Sequence, residues 1–247
     1  MSAGAQEIVA DAGAVAAGKP RKAPKRYGFS VLLSGIALSR HQWWGLLLVV
    51  VANAFVQMLV SVWTPLTTDT PAFYLSAVIS FVVLVGSFGV VCALALACAD
   101  GRKGVGNALR TGSWGRFFAW TVGLTVVVYI FALMWFWPSM VLLLVIPFVP
   151  LAAMAGQRNP LAVNFRVIRA RWVRYLVLVV FWSLIMALSM VGLILGSITF
   201  PWWGVTLVGW VFKGLIGVWL TCAFASLYRS TTVGAVGAVA VDRAGRG

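Results

Sequence analysis

Long, nearly unbroken apolar stretches alternate along this chain with short polar interruptions. They run over about 43–64, 72–99, 115–137, 139–156, 172–198 and 204–228. A helix needs roughly 20 apolar residues to cross a bilayer. Five stretches meet that length readily, and 139–156 is the shortest. The interruptions carry helix-stopping residues: Thr64-Pro-Leu-Thr-Thr-Asp-Thr-Pro71, Asp100-Gly-Arg-Lys-Gly104, Pro138 and Phe200-Pro-Trp-Trp203. Aromatic residues frame the first stretch at Trp43-Trp44 and Trp63, where an interfacial belt is expected. The pattern predicts an all-α polytopic integral membrane protein. About six transmembrane helices would pair in hairpins, with short interfacial amphipathic helices between them.

Within 139–156, Pro147 and Pro150 remove two backbone donors. A kink or break is expected there, and bilayer lipid tolerates one only if neighbouring protein satisfies the freed carbonyls. Residues 1–27 read as a disordered basic N-terminal arm, with the run Lys19-Pro-Arg-Lys-Ala-Pro-Lys-Arg26 at the inner leaflet. A cleaved signal peptide does not fit, because the first strong apolar stretch begins only near 43 and is of full span length. Residues 28–229 form the membrane domain, and 230–247 read as a disordered tail. A short pattern recurs three times before an odd-numbered span: Gly35-Ile-Ala-Leu-Ser-Arg40 before Trp44, Gly106-Asn-Ala-Leu-Arg110 before Trp114, and Asn164-Phe-Arg-Val-Ile-Arg169 before Trp172. Either a duplicated unit or the shared demands of a membrane boundary produces such a repeat.

Composition sharpens this picture. The chain is 62% hydrophobic and 10% charged, with mean hydropathy +0.99, so six spans leave no room for a soluble catalytic domain. Of the 19 Lys and Arg, all but Lys213 lie in the segment before the first stretch, in two interior loops with the span ends beside them, or at the C-terminal end, while the other three connections carry none. By the positive-inside rule both termini and the basic loops are cytoplasmic, placing the protein in the cell inner membrane. The net charge of +14 then serves anionic lipid, at about 1 kcal/mol per basic residue near the surface. No soluble fold is expected that would present a nucleic-acid groove. Cys92, Cys98 and Cys222 lie in or at the ends of apolar segments without C-x-x-C spacing and read as packing residues.

The sequence Val145-Ile-Pro-Phe-Val-Pro150, followed by Asn159-Pro-Leu-Ala162 and an Arg-rich amphipathic stretch into a span, resembles a broad group of bacterial six-span proteins. These are related to the membrane region of some glycerophosphodiester phosphodiesterases. The likeness covers 28–229 in architecture and 145–175 in wording. It implies the topology and carries over no catalytic residue, and the acidic soluble domain that performs phosphodiester chemistry in that group has no counterpart here.

Few residues offer chemistry. Lys213 stands near mid-bilayer, an ionisable position that is functional by default or else a snorkelling lysine held by the carbonyls freed at Pro147 and Pro150. Asn53 and Gln57, at i and i+4 in the first span, share one helix face with each other and join Lys213 as a candidate intramembrane polar site; packing glue is the plainer role. Ser76, Ser80 and Ser87 would extend a polar path. Gly192-Leu-Ile-Leu-Gly196 is a G-x-x-x-G that favours close helix packing. Arg158, Arg166, Arg169, Arg171 and Arg174, with Phe165, Ile168 and Trp172 interleaved, predict an amphipathic surface helix for contact with anionic lipid or an acidic partner. His41 and the five Asp and Glu form no carboxylate pair, metal cluster or cofactor motif. The expectation is a non-catalytic membrane protein, accessory to a transporter or envelope-biogenesis machine. A transporter using Lys213 is the alternative, and a lipid enzyme ranks third.

Overall fold

The computed structural model describes residues 30–63, 70–102, 104–134, 141–142, 144–199 and 201–244. Their regular elements are all helical. They are α1 (Ser30–Ser39), a 3-10 turn (Arg40–Gln42), α2 (Trp43–Trp63), α3 (Pro71–Ala99), α4 (Val105–Thr111) and α5 (Trp114–Met134). After these come α6 (Val149–Met154), α7 (Pro160–Ala170), α8 (Trp172–Thr199) and α9 (Trp202–Ala244). Five helices are long and apolar enough to cross a membrane: Trp43–Trp63, Pro71–Ala99, Trp114–Ala132, Trp172–Gly196 and Trp203–Thr232. This is the architecture of a membrane-embedded helical protein.

Local chemistry sets the ends. The Thr70 side chain accepts from Phe73 N with Pro71 in the first turn of α3, and Asn159 caps α7 in the same way above Pro160. Helix α3 closes where Asp100 N donates to Leu96 O and Arg102 N to Ala97 O, with Gly101 at φ 69°. Helix α6 ends alike: Gln157 N donates to Ala152 O around Gly156 at φ 78°. Both turns need a left-handed residue, which is why glycine stands at each.

Each long helix that opens with Trp43, Trp114 or Trp172 follows a short helix, α1, α4 or α7. The recurring sequence pattern therefore corresponds to a recurring arrangement. The first copy differs from an interfacial amphipathic helix. Its sequence Ser-Val-Leu-Leu-Ser-Gly-Ile-Ala-Leu-Ser has no charge, and it packs along α9 instead, where Trp219 Nε1 donates to Leu32 O at 2.9 Å. Gly35 permits this approach, since a Cβ there would lie 2.9 Å from Trp219 O and 3.0 Å from Ala223 Cβ.

The stretch 139–156 is not one continuous helix. Residues 135–140 and 143 lie outside the described residues. Helical backbone at 144–145 stops before Ile146, and helix resumes only at Val149. Val149 N bonds Ile146 O at 3.2 Å instead of reaching Val145. The backbone account still closes. Asn164, fully buried on α7, accepts from Phe148 N at 3.0 Å and donates to Val145 O at 2.8 Å. The Tyr175 hydroxyl donates to Leu144 O. Side chains from α7 and α8 thus supply bonds to Leu144 O, Val145 O and Phe148 N that the interrupted ladder forfeits.

At its other end, α9 runs past the expected limit at 228 to Ala244, through a Gly, Ala and Val sequence with no proline to stop it. The N-terminal arm, the 64–69 connection and Lys103 lie outside the described residues.

The core is concentrated at one end of the bundle. Val91 to Cys98 of α3 are all buried, as are Leu220 to Ala225 of α9. Many of these side chains are Ala or Cys, which lets helix backbones approach closely. Phe117 of α5 and Phe148 are fully buried against this region, with Phe148 edge-on to Phe224 at 5.2 Å. A Cβ on Gly89 would lie 2.8 Å from both the Phe117 and Trp114 rings, so the missing side chain admits α5. Away from this end the helices bare their apolar side chains, among them Leu188, Ile194 and Ile198 on α8.

Candidate functional site

The tightly packed end is also the charged end. Asp100, at the close of α3, gathers two arginines. Arg229 Nη2 donates to its Oδ2 at 2.8 Å, Arg229 Nε lies 2.8 Å from its Oδ1, and Arg102 Nη2 also donates to Oδ2. The 3-10 turn joins through Gln42 Nε2, which donates to Arg102 O at 3.2 Å. Arg229 also sits 5.6 Å over the ring of fully buried Tyr228. Asp100 and Arg229 side chains are 23% and 24% exposed, so solvent screening holds the pair to about 1 kcal/mol or less. Its contribution is geometric: together with the Gln42 bond it ties the close of α3 to Arg229 within α9 and to the turn that precedes α2. Arg102 and Lys103 are neighbours of Asp100 in sequence and natural local partners for it, whereas Arg229, 129 residues away, became visible only through folding.

Around this clamp most arginines project outward. Arg158, Arg166, Arg169 and Arg171 are exposed, and Arg174 is half-buried. Helix α7 is amphipathic as expected, but its apolar face is occupied by protein. Pro160, Val163, Asn164 and Val167 are buried, while Phe165 is 53% exposed beside Arg166. Trp172, opening α8, is exposed as well. What α7 offers outward is therefore guanidinium with an aromatic edge. Arg40, Arg110 and Arg116 are also exposed. Asp100 is the one acidic side chain described, and Arg102 and Arg229 already hold it.

The intramembrane candidates separate. Gln57 is 2% exposed and fully engaged: Nε2 donates to Ser80 O at 3.0 Å and its Oε1 accepts from Ser80 Oγ. This bond pins α2 to α3, the packing role. Asn53 is 8% exposed and its Oδ1 has no partner, an arrangement that costs about 1–3 kcal/mol unless something donates to it. Ser76 does not continue a path between helices through the bond seen here, since its hydroxyl bonds back to Phe73 O at 2.8 Å.

Lys213 is half-buried, with its ammonium 5.7 Å from the Trp210 ring centroid. A cation–π contact contributes about 0.5–2 kcal/mol, less than the roughly 2.5–3.5 kcal/mol that a lysine costs at a bilayer centre. Val145 O and Leu144 O accept from Asn164 and Tyr175, and among the described residues no hydrogen bond joins Lys213 to a carbonyl of that break. Beside it, Gly214 lets α9 close on α2, a Cβ there lying 2.7 Å from Val50 Cγ1. This contact brings the α2 turn carrying Asn53 alongside the α9 turn carrying Lys213. No hydrogen bond joins the two side chains among the described residues.

Sequence reasoning passed over Asn164 and Tyr175 as site residues. Only half of the signal was present: two prolines three apart in an apolar segment demand outside donors, but nothing in the sequence says which side chains supply them. Cys92, Cys98 and Cys222 are free and buried, consistent with packing. No protein-family model, curated protein or solved structure matches this chain.

Proposed function

We propose that this is a non-catalytic integral membrane protein that works through lipid or protein contacts at its arginine-rich end, as an accessory to a transporter or envelope-biogenesis machine. The observation that carries this reading is the charge imbalance there. Arg158, Arg166, Arg169 and Arg171 project outward, whereas the described carboxylate is already held by Arg102 and Arg229. Exposed guanidinium beside Phe165 and Trp172 suits the headgroup level of an anionic leaflet.

In this reading the arginine-rich end is cytoplasmic, both termini are inside, and the membrane is the cell inner membrane. The reading also takes the chain to cross six times, and the ends of two described segments support it. Helix α5 leaves the charged end at Trp114 and runs 21 residues, about 30 Å at 1.5 Å per residue. Helix α6 finishes back at that end, with Met154 O accepting from Ser113 N at 3.0 Å.

The test is replacement of Arg166, Arg169 and Arg171 by Gln, followed by purification in mild detergent and identification of bound lipids and proteins. Loss of acidic lipid or of a partner protein supports the reading. An unchanged inventory removes its basis. A transporter is the second reading, favoured by the α9 turn that carries Lys213 packing beside the α2 turn that carries Asn53, whose Oδ1 has no partner.

A further inference from the structure

Arg116 and Arg158 belong to none of the arrangements above except as members of the exposed basic set, yet the Arg116 side chain reaches the turn that Arg158 follows. Arg116, in the first turn of α5, donates through Nη1 to Gly156 O. Gly156 ends α6 in a left-handed turn, and Arg158 follows two residues later, within about 7 Å along the backbone. One N–H of Arg116 is thereby spent on orientation, leaving the rest of its five donors at the surface. Both arginines are exposed, and neither has a carboxylate partner among the described residues.

Below Arg116 on the same side of α5 stand Ala119, Gly123, Val127 and Ile130, at i+3, i+7, i+11 and i+14. All four are exposed. A Cβ on Gly123 would meet no atom within 4 Å, so this face is an uncovered apolar strip, open as a channel for an acyl chain, with Arg116 at its head and Arg158 just beyond the Gly156 turn. We propose that it seats an acidic phospholipid: Arg116 and Arg158 hold the phosphate, and an acyl chain lies along α5 from Ala119 to Ile130. The paired guanidinium forks match phosphate oxygens. An acidic protein would satisfy the arginines and leave the apolar face bare, whereas an amphiphile satisfies both. The proposal rests on the reading that this end meets an anionic leaflet, and it names a seat separate from α7.

Native mass spectrometry of the purified full chain, titrated with phosphatidylglycerol or phosphatidylcholine of matched acyl chains, tests it. The wild type should retain phosphatidylglycerol preferentially. R116Q/R158Q should weaken that binding roughly tenfold or more, from the loss of two headgroup contacts, and R166Q/R169Q/R171Q should weaken it less. R116K/R158K, which keeps the charge but not the fork, should fall between. If R116Q/R158Q does not fold, the lysine variant carries the test, and an undiminished preference in it overturns the seat. Full retention by a folded R116Q/R158Q overturns it directly. Equal binding of glycerol phosphate without acyl chains overturns the α5 channel. A wild type with no preference for phosphatidylglycerol defeats the anionic-leaflet reading itself, a result distinguishable from failure of the seat.

Discussion

At the scale of single residues, the largest energetic demands fall on polar side chains inside the bundle. Asn164 alone satisfies Phe148 N and Val145 O. Asn164→Leu would orphan both buried groups at about 1–3 kcal/mol each. A destabilisation of roughly 2–5 kcal/mol is expected, read as a lower midpoint of thermal unfolding in detergent. Asn164→Asp retains the acceptor for Phe148 N but loses the donor to Val145 O, so it should fall between. A midpoint for Asn164→Leu equal to wild type would mean that the break needs no side-chain donor. Lys213 poses the opposite question. Its contact with Trp210 offsets only part of the cost of an intramembrane ammonium. If the role is structural, Lys213→Met should be as stable as wild type or more so, with no loss-of-function phenotype. If Lys213 serves transport, the variant should fold and lose function. Full activity together with undiminished stability removes the main support for the transporter reading.

At the scale of elements, close approach is decided by particular glycines. The G-x-x-x-G at Gly192 and Gly196 is not where helices come closest. Gly192 has nothing within 4 Å of a Cβ, and Gly196 meets Val205 at an ordinary 3.4 Å. Gly35, Gly89 and Gly214 make the tight contacts, and none belongs to a G-x-x-x-G pair. Gly35→Leu should therefore displace α1 from α9 and break the bond from Trp219 to Leu32, lowering the thermal midpoint and raising protease sensitivity near residues 30–39. Gly192→Leu should leave the folded monomer unaffected in both measurements. A tolerant Gly35 would show that α1 is held elsewhere. Helix α7 shows the same principle on its apolar side: its periodicity was readable in sequence, but whether that side met lipid or protein depended on α6 and α9 being beside it.

For the whole molecule, the ion pair at Asp100, the bond from Gln42 to Arg102 O and the bond from Ser113 to Met154 O bring the basic segments to one end. Single cysteines introduced in a background lacking Cys92, Cys98 and Cys222 should test the proposed orientation. Positions 22, 103, 169 and 234 should resist an impermeant thiol reagent added from outside, while 68 and 139 should react. External labelling at 103 or 169 would sink the six-crossing arrangement.

Helical class, five of the long segments and the Trp-led starts of α2, α5 and α8 were all legible from sequence, because apolar length and interfacial aromatics act locally. The break around Pro147 was legible too, since a missing backbone donor is a property of the residue itself. Partnership was not. Sequence held no sign that Asn164 and Tyr175 would meet the freed carbonyls, that Arg229 would reach Asp100, or that α1 would leave the interface for α9. Nor could it separate Gln57, bonded to Ser80, from Asn53, left unpaired one turn away. Each of these depends on which helix faces came to lie against one another, and that is set by long-range packing of small side chains rather than by any local periodicity.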